Sequence, residues 1–270
     1  MTRLFSIVII MLSTVIAQSA RADESCQWDG LKKDVWVEEL DQQGMQMAYP
    51  LPHDLITRAL TERLTEGNKY LIKSTLDNIK GDVESHRRSA QILIRPKLLN
   101  ARYNSKFELL GDGPGGMASA TLQIALVDNY SGVVIRTLNI GNSSRVWFSL
   151  FPFSQMDLNE KTTGMVEGML PELAKQLDAE LDCLPYSARV FKIDNGSVYI
   201  AGGLRNNIKP NMEFSILASQ DHITNDKTIE GVVFKNMAGM VIESVSPALA
   251  AGKTSIAIGE NSVVVIATKK

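Results

Sequence analysis

Gly111-Asp112-Gly113-Pro114-Gly115-Gly116 carries the letters of a dinucleotide-binding loop, the stretch of this sequence that most invites a cofactor. Pyrophosphate binding needs successive backbone N–H groups at the start of a helix, whereas Pro114 has no N–H and a strand pattern follows. The expected structure is therefore a flexible hairpin loop, with no nucleotide. The three histidines, His53, His86 and His222, lie far apart and share no metal-ligand spacing, so no metal is expected. Asp77, Asp82 and Glu84 gather in a polar stretch, and a general acid and base pair needs an apolar pocket to drive its pKa values apart. Neither a phosphate-binding lysine loop nor a nucleophile elbow is present. No catalytic or cofactor-binding residue is assigned, and the expectation is a protein that is not an enzyme.

The chemistry that remains is that of sulfur and of aromatic surface. Met1-Thr2-Arg3 leads into an apolar run from Leu4 to Ile16, and Ala20-Arg21-Ala22 offers small residues where a signal peptidase reads, so 1–22 is expected to be a secretory signal. The run is short for a bilayer span, and no cysteine stands directly after Ala22 to take a lipid. Stable membrane insertion is not expected, and the location is the periplasm of a Gram-negative-type envelope. There the two cysteines, Cys26 and Cys183, read as a disulfide, the alternative being a metal or redox pair. Trp147-Phe148-Ser149-Leu150-Phe151-Pro152-Phe153 is the most aromatic stretch. It suits packing between layers or, as the candidate partner-contact set, exposed Trp147, Phe148, Phe151 and Phe153. Arg87, Arg88, Arg95, Lys97, Arg102 and Lys106 bunch around one strand, as a charged edge or a binding patch would. Taking Arg3 and Arg21 from the 28 basic side chains leaves 26 against 30 acidic ones, a formal charge near minus 4 that argues against nucleic acid.

The elements that position these residues follow from periodicity. With 270 residues, 44% of them hydrophobic, the chain can bury one large or two modest cores. Ser119 to Ile140 spells a β-hairpin: Ala120, Leu122, Ile124 and Leu126 alternate, Asp128, Asn129, Ser131 and Gly132 turn, and Val133 to Leu138 return. Before it come a strand at Asp34 to Glu38 and a helix from His53 to Gly67. Tyr70-Leu71-Ile72 reads as a strand, and Ser74 to Ile79 as a brief helix. Gln91 to Leu99 is a further strand, in which Pro96 implies an edge or a bulge. After it a helix from Lys161 to Asp182 contains Pro171, which predicts a kink or a second segment. Leu184-Pro185-Tyr186 marks a boundary, beyond which short strands at 188–193, 197–201, 212–217, 231–234, 238–245 and 262–267 predict a small barrel. The expectation is an α+β fold: two helices on a mixed, mostly antiparallel sheet in 23–184, followed by a small all-β barrel domain in 185–270.

Two stretches carry a resemblance. The helix ending at Gly67, Tyr70-Leu71-Ile72, the strand near Ile92 and the Asp128 to Ile135 turn resemble a domain of envelope proteins. These are the N-terminal domain of the Tol-Pal propeller protein, the curli secretion lipoprotein and the lipoprotein activators of penicillin-binding proteins. Ser197 to Gly203, Ile208 to Phe214 and Ala238 to Glu243 resemble the C-terminal barrel of flagellar assembly protein T, which is similar in domain order too. The resemblance implies a periplasmic structural or adaptor protein of a flagellar basal-body ring, needed for ring assembly. Its partners would be ring or scaffold subunits, including copies of itself. A secretion system, a pilus or a peptidoglycan synthase regulator is the alternative.

Overall fold

Strand β1 (Lys33–Val37) is the axis of the first half of the chain, lying between β2 (Tyr70–Ser74) and β3 (Ile92–Lys106) and parallel to both. The structure is a computed structural model that describes residues 26, 28–42, 51–52, 54–75, 83–106, 115–147, 155–194, 196–225, 228–254 and 265–269. Beyond β3 the sheet continues antiparallel through β4 (Gly115–Asp128) and β5 (Val134–Trp147), giving the order β2-β1-β3-β4-β5. The fold is α+β.

Alternation decides which side chains enter the core. Val35, Val37, Ile92, Ile94, Leu122, Ile124 and Leu126 are buried on one face, against two helices. Helix α1 (Asp54–Glu66) contributes Ile56, Leu60 and Leu64 at helical spacing. Its end is set by Asn68, in the left-handed region at φ 52, whose N–H donates to the Thr65 carbonyl at 3.0 Å. Helix α3 (Gln155–Asp182) contributes Met165, Val166, Met169, Leu173, Leu177 and Leu181. Each such aliphatic side chain stabilises the fold by about 1.5 to 3 kcal/mol. The opposite face carries a smaller cluster of Trp36, Ala90, Leu93 and Val127, beside the short helix α2 (Val83–Ser89).

Two expectations about proline are met only in part. Strand β3 is central, and the bulge that Pro96 suggested lies between Leu98 and Asn100. Pro96 is tolerated because its carbonyl, and therefore its missing N–H, faces the side where β1 has ended; there it accepts from Asp41 N–H at 2.9 Å. Helix α3 runs as one segment through Pro171, which is exposed, so the lost hydrogen bond is on the solvent side. Ser74, where a brief helix to Ile79 was expected to begin, is instead the last residue of β2, and 76–79 lie outside the described residues, as does the leader.

The second half closes on itself. Strands β6 (Ser187–Asp194), β7 (Ser197–Ala201), β8 (Glu213–Asn225), β9 (Thr228–Val245), β10 (Leu249–Thr254) and β11 (Val265–Lys269) form a closed barrel in the order β10-β7-β6-β11-β8-β9. The two runs expected at 231–234 and 238–245 are one strand, β9, with register shifts along its pairing to β8. Inside lie Tyr186, Ala188, Val198, Ile200, Ile208, Phe214, Ile216, Met240 and Ile242. Leu31, from the segment just before β1, is fully buried in the same cluster. The N-terminal segment thus plugs a barrel made by the C-terminal third.

Candidate functional site at the sheet–barrel junction

Two consecutive residues of β1 point opposite ways because a strand alternates, and they build two different polar environments. Lys33 shares the helix face with Val35 and is fully buried, its Nζ without a hydrogen-bond partner. Burial lowers its pKa, and Asp29, Asp182 and Asp178 partly oppose that shift. Tyr70 lies opposite Lys33 in the register. Its hydroxyl donates to Asp178 Oδ1 at 2.8 Å and lies 3.1 Å from Asp182 Oδ1. Lys69 Nζ donates to the other oxygens of the same two carboxylates, at 2.9 and 2.8 Å. Asp178 and Asp182 stand one turn apart on α3, so Lys69 and Tyr70 together clamp the end of that helix to the sheet. Burial first, then the adjacent carboxylates, raise the Tyr70 pKa, and the hydrogen bond to Asp182 raises that of Lys69. A low-pKa amine beside a phenol and two carboxylates has the groups for carbonyl chemistry. Yet Lys33 is sealed from solvent, so no substrate carbonyl reaches it, and the cluster acts as a lock.

The lock has a covalent neighbour. Cys26 and Cys183 form a disulfide with their Cα atoms 4.8 Å apart, joining the segment before β1 to the residue after α3. The 157-residue separation closes a long loop, for which the chain-entropy account gives an upper value of about 4 to 5 kcal/mol.

Asp34 faces the barrel. It accepts from Asn206 Nδ2 at 2.8 Å, and the same nitrogen donates to the Lys32 carbonyl at 2.9 Å, while Asn206 Oδ1 accepts from Gly203 N–H at 3.2 Å. Asn206 is 3% exposed, which makes it a fully engaged amide between the two halves. Burial raises the Asp34 pKa against the opposing pulls of Asn206 and Lys73. Three further links hold the junction: Gln91 Nε2 to the Pro185 carbonyl at 2.7 Å, Tyr186 N–H to Asp29 Oδ2 at 3.1 Å, and Asn207 Nδ2 to the Gly30 carbonyl at 3.1 Å. Burial also raises the pKa of Tyr130, which is hydrogen-bonded to the Arg189 backbone.

Beside these links runs a groove of about 510 Å³. One wall is β2, with Tyr70, Leu71, Ile72 and Lys73 all lining it. The far wall comes from the barrel, through Gly202, Arg205, Asn206 and Ala248.

The residues singled out in the sequence fare unevenly. Trp147 ends β5, and its side chain, with Phe148, Phe151 and Phe153, lies outside the described residues. His86 Nδ1 is 3.5 Å from Lys73 Nζ, His53 is not described, and His222 is placed on β8 by its backbone alone. The basic cluster is mostly paired: Arg87 and Arg95 hold Glu38 at 2.7 and 3.0 Å, Arg88 holds Glu84 at 3.0 Å and Lys97 lies 3.5 Å from Asp41. Among the described residues, no group of three or more His, Cys, Asp or Glu could hold a metal, and no helix is long and apolar enough to cross a membrane. Lys33, Asp34, Tyr70 and Asn206 were not singled out from the sequence. A lysine in phase with Val35 and Val37 was the available signal.

No protein-family model matches the chain, and neither does any curated protein. Solved structures do match over part of it. A minor lipoprotein from Acinetobacter baumannii has 14% identity and a TM-score of 0.36, covering 56% of this chain and 94% of its own. The PelC dodecamer from Paraburkholderia phytofirmans has 13% identity and a TM-score of 0.31, covering 54% and 89%. Rare lipoprotein B from Shewanella oneidensis has 11% and 0.31, covering 54% and 92%. Likeness at this level carries no argument about what the present chain does.

Proposed function

We propose that this chain is a non-catalytic structural adaptor of the bacterial envelope, working in the periplasm and holding other envelope proteins in a ring or scaffold. The single observation that carries the reading is the junction. A disulfide, a buried amide and a set of side-chain to backbone bonds fix sheet and barrel together. Such rigidity suits presentation of surfaces to partners. The disulfide belongs in an oxidising compartment, which agrees with the leader read at 1–22. The residues that resemble flagellar assembly protein T make the flagellar basal-body ring the preferred machine.

The test is co-isolation. A tagged chain expressed in its native cell is expected to fractionate with purified basal bodies and to be lost from them when the ring is removed. A chain that stays monomeric in native mass spectrometry and recovers no ring, pilus or secretion component from the envelope would count decisively against an adaptor role. Recovery with a pilus or secretion complex would keep the adaptor and discard the flagellum.

A further inference from the structure

Strand β5 ends the sheet on the side away from β2, and among the described strands it pairs with β4 alone. It contains no proline, and its residues from Val134 to Ser143 are exposed, with Val134 at 52%. The exceptions are Leu138 and Ile140, half-buried at the rim of the core. An edge of this length is a template for another strand unless charge, proline or a bulge blunts it. The bulge sits at one end, at Ile135, and the charges stand at Arg136 and Arg145, with none from Thr137 to Ser144.

Helix α3 decides what fits beside that edge. It runs antiparallel to β5: Glu180 Oε1 meets Arg136 Nε at 3.2 Å, and a Cβ on Gly168 would lie 3.9 Å from Asn142 Nδ2. Midway between these two contacts stand Asn139 on the strand and Ala174 on the helix. The helix packs on β4 and β5 alike, so it lies over the gap between them. A two-fold axis normal to the sheet, half a strand spacing outside β5, would bring a second α3 to about 10 Å, the distance at which helices pack.

Such an axis keeps both helix layers on one face and sets residues of like parity opposite each other. With the axis at Asn139, Leu138 faces Ile140 of the second copy, Arg136 faces Asn142 and Thr137 faces Gly141. Glu172 and Lys175, exposed on either side of Ala174, then come beside Lys175 and Glu172 of the second copy. The register covers both apolar rim residues, keeps the arginines apart and matches the helix charges.

We propose that two copies of this chain join by antiparallel pairing of β5 across a two-fold axis at Asn139, making one continuous sheet. Main-chain hydrogen bonds over Arg136–Asn142 supply the pairing, and burial of Leu138 and Ile140 adds to it. The pairing needs no other envelope protein and does not depend on the adaptor reading.

The experiment uses the mature, oxidised protein. Sedimentation is expected to show a concentration-dependent dimer, and hydrogen exchange to slow within Arg136–Asn142 as the dimer forms. Asn139 is exposed and accepts from Gln123 Nε2 at 3.0 Å, so replacing it leaves the core alone. Asn139→Lys and Asn139→Asp each set like charges face to face and should weaken dimerisation by about tenfold or more. The melting temperature of the dilute monomer should not change. An equimolar mixture of the two variants should recover the dimer, since lysine then faces aspartate. A monomer at every attainable concentration, a dimer indifferent to both charges, a mixture that stays monomeric, or slowed exchange confined to other strands overturns the proposal. A monomer that still co-isolates with an envelope complex discards the pairing and keeps the adaptor. A dimer with the expected charge response that recovers no envelope component does the reverse.

Discussion

The half-buried Asp34 and the fully buried Lys33 are adjacent, oppositely charged and on opposite faces of one strand, so each makes stability depend on pH in its own direction. Burial raises the Asp34 pKa above its ordinary 3.8, so the folded state prefers the protonated acid. Its favourable contribution is complete below pH 3.8 and is lost as pH rises through the folded value. Asp34→Asn keeps an acceptor for Asn206 and removes that loss. The variant should melt higher than the parent at pH 7, with the gap closing in melts taken below pH 3.8. Lys33 is the mirror case: its folded pKa lies below 10.5, so its contribution is present above pH 10.5 and is lost as pH falls through the folded value. Lys33→Met should therefore raise the melting temperature at pH 7, and the gain should shrink toward pH 10.5. Asp29, Asp178 and Asp182 lose a favourable charge in that variant, which limits the gain. An unchanged or lower melting temperature at neutral pH would show that those three carboxylates outweigh burial.

At the scale of elements, the junction depends on Asn206, whose side chain serves Lys32, Asp34 and Gly203 at once. Asn206→Ala leaves a half-buried carboxylate and two backbone groups without this partner, a loss of about 2 to 4 kcal/mol measurable by urea unfolding. The elements themselves were legible to different degrees, for reasons residues make plain. The β4–β5 hairpin was open to reading because Asp128 and Gly132 do local work: Ser131 Oγ donates to Asp128 Oδ2 at 2.6 Å, and Gly132 takes φ 75. Helix α1 showed its apolar period and its end. Strand β10 went unread, since Leu249-Ala250-Ala251-Gly252-Lys253-Thr254 lacks β-branched alternation. Gly252 is there because a Cβ would overlap the Val241 carbonyl oxygen of β9, a tertiary reason invisible in the sequence. Helix α2 buries none of its residues and so has no apolar stripe to read. The site was least legible of all. Asn206 acquires its role from contacts more than 170 positions away in the chain, and no local pattern records those.

For the whole molecule, the disulfide and the Lys69–Tyr70 clamp act on the same corner, where the segment before β1 meets the end of α3. Replacing Cys26 and Cys183 together by serine should lower unfolding stability by up to about 4 to 5 kcal/mol. Reductant should have no further effect on that variant. Denaturant melts of parent and variant with and without dithiothreitol measure this, and a difference under about 1 kcal/mol would mean that the non-covalent clamp already confines the loop.

Leu31 gives the architecture a schedule. In a polypeptide that crosses a membrane from its N-terminus, this leucine arrives early, yet its resting place is walled by Val198, Phe214, Met240 and Ala250, which arrive late. The first stretch to emerge must therefore wait, with an oily side chain still in water, for the last strands to come through. That interval is when an escort would matter most to this protein.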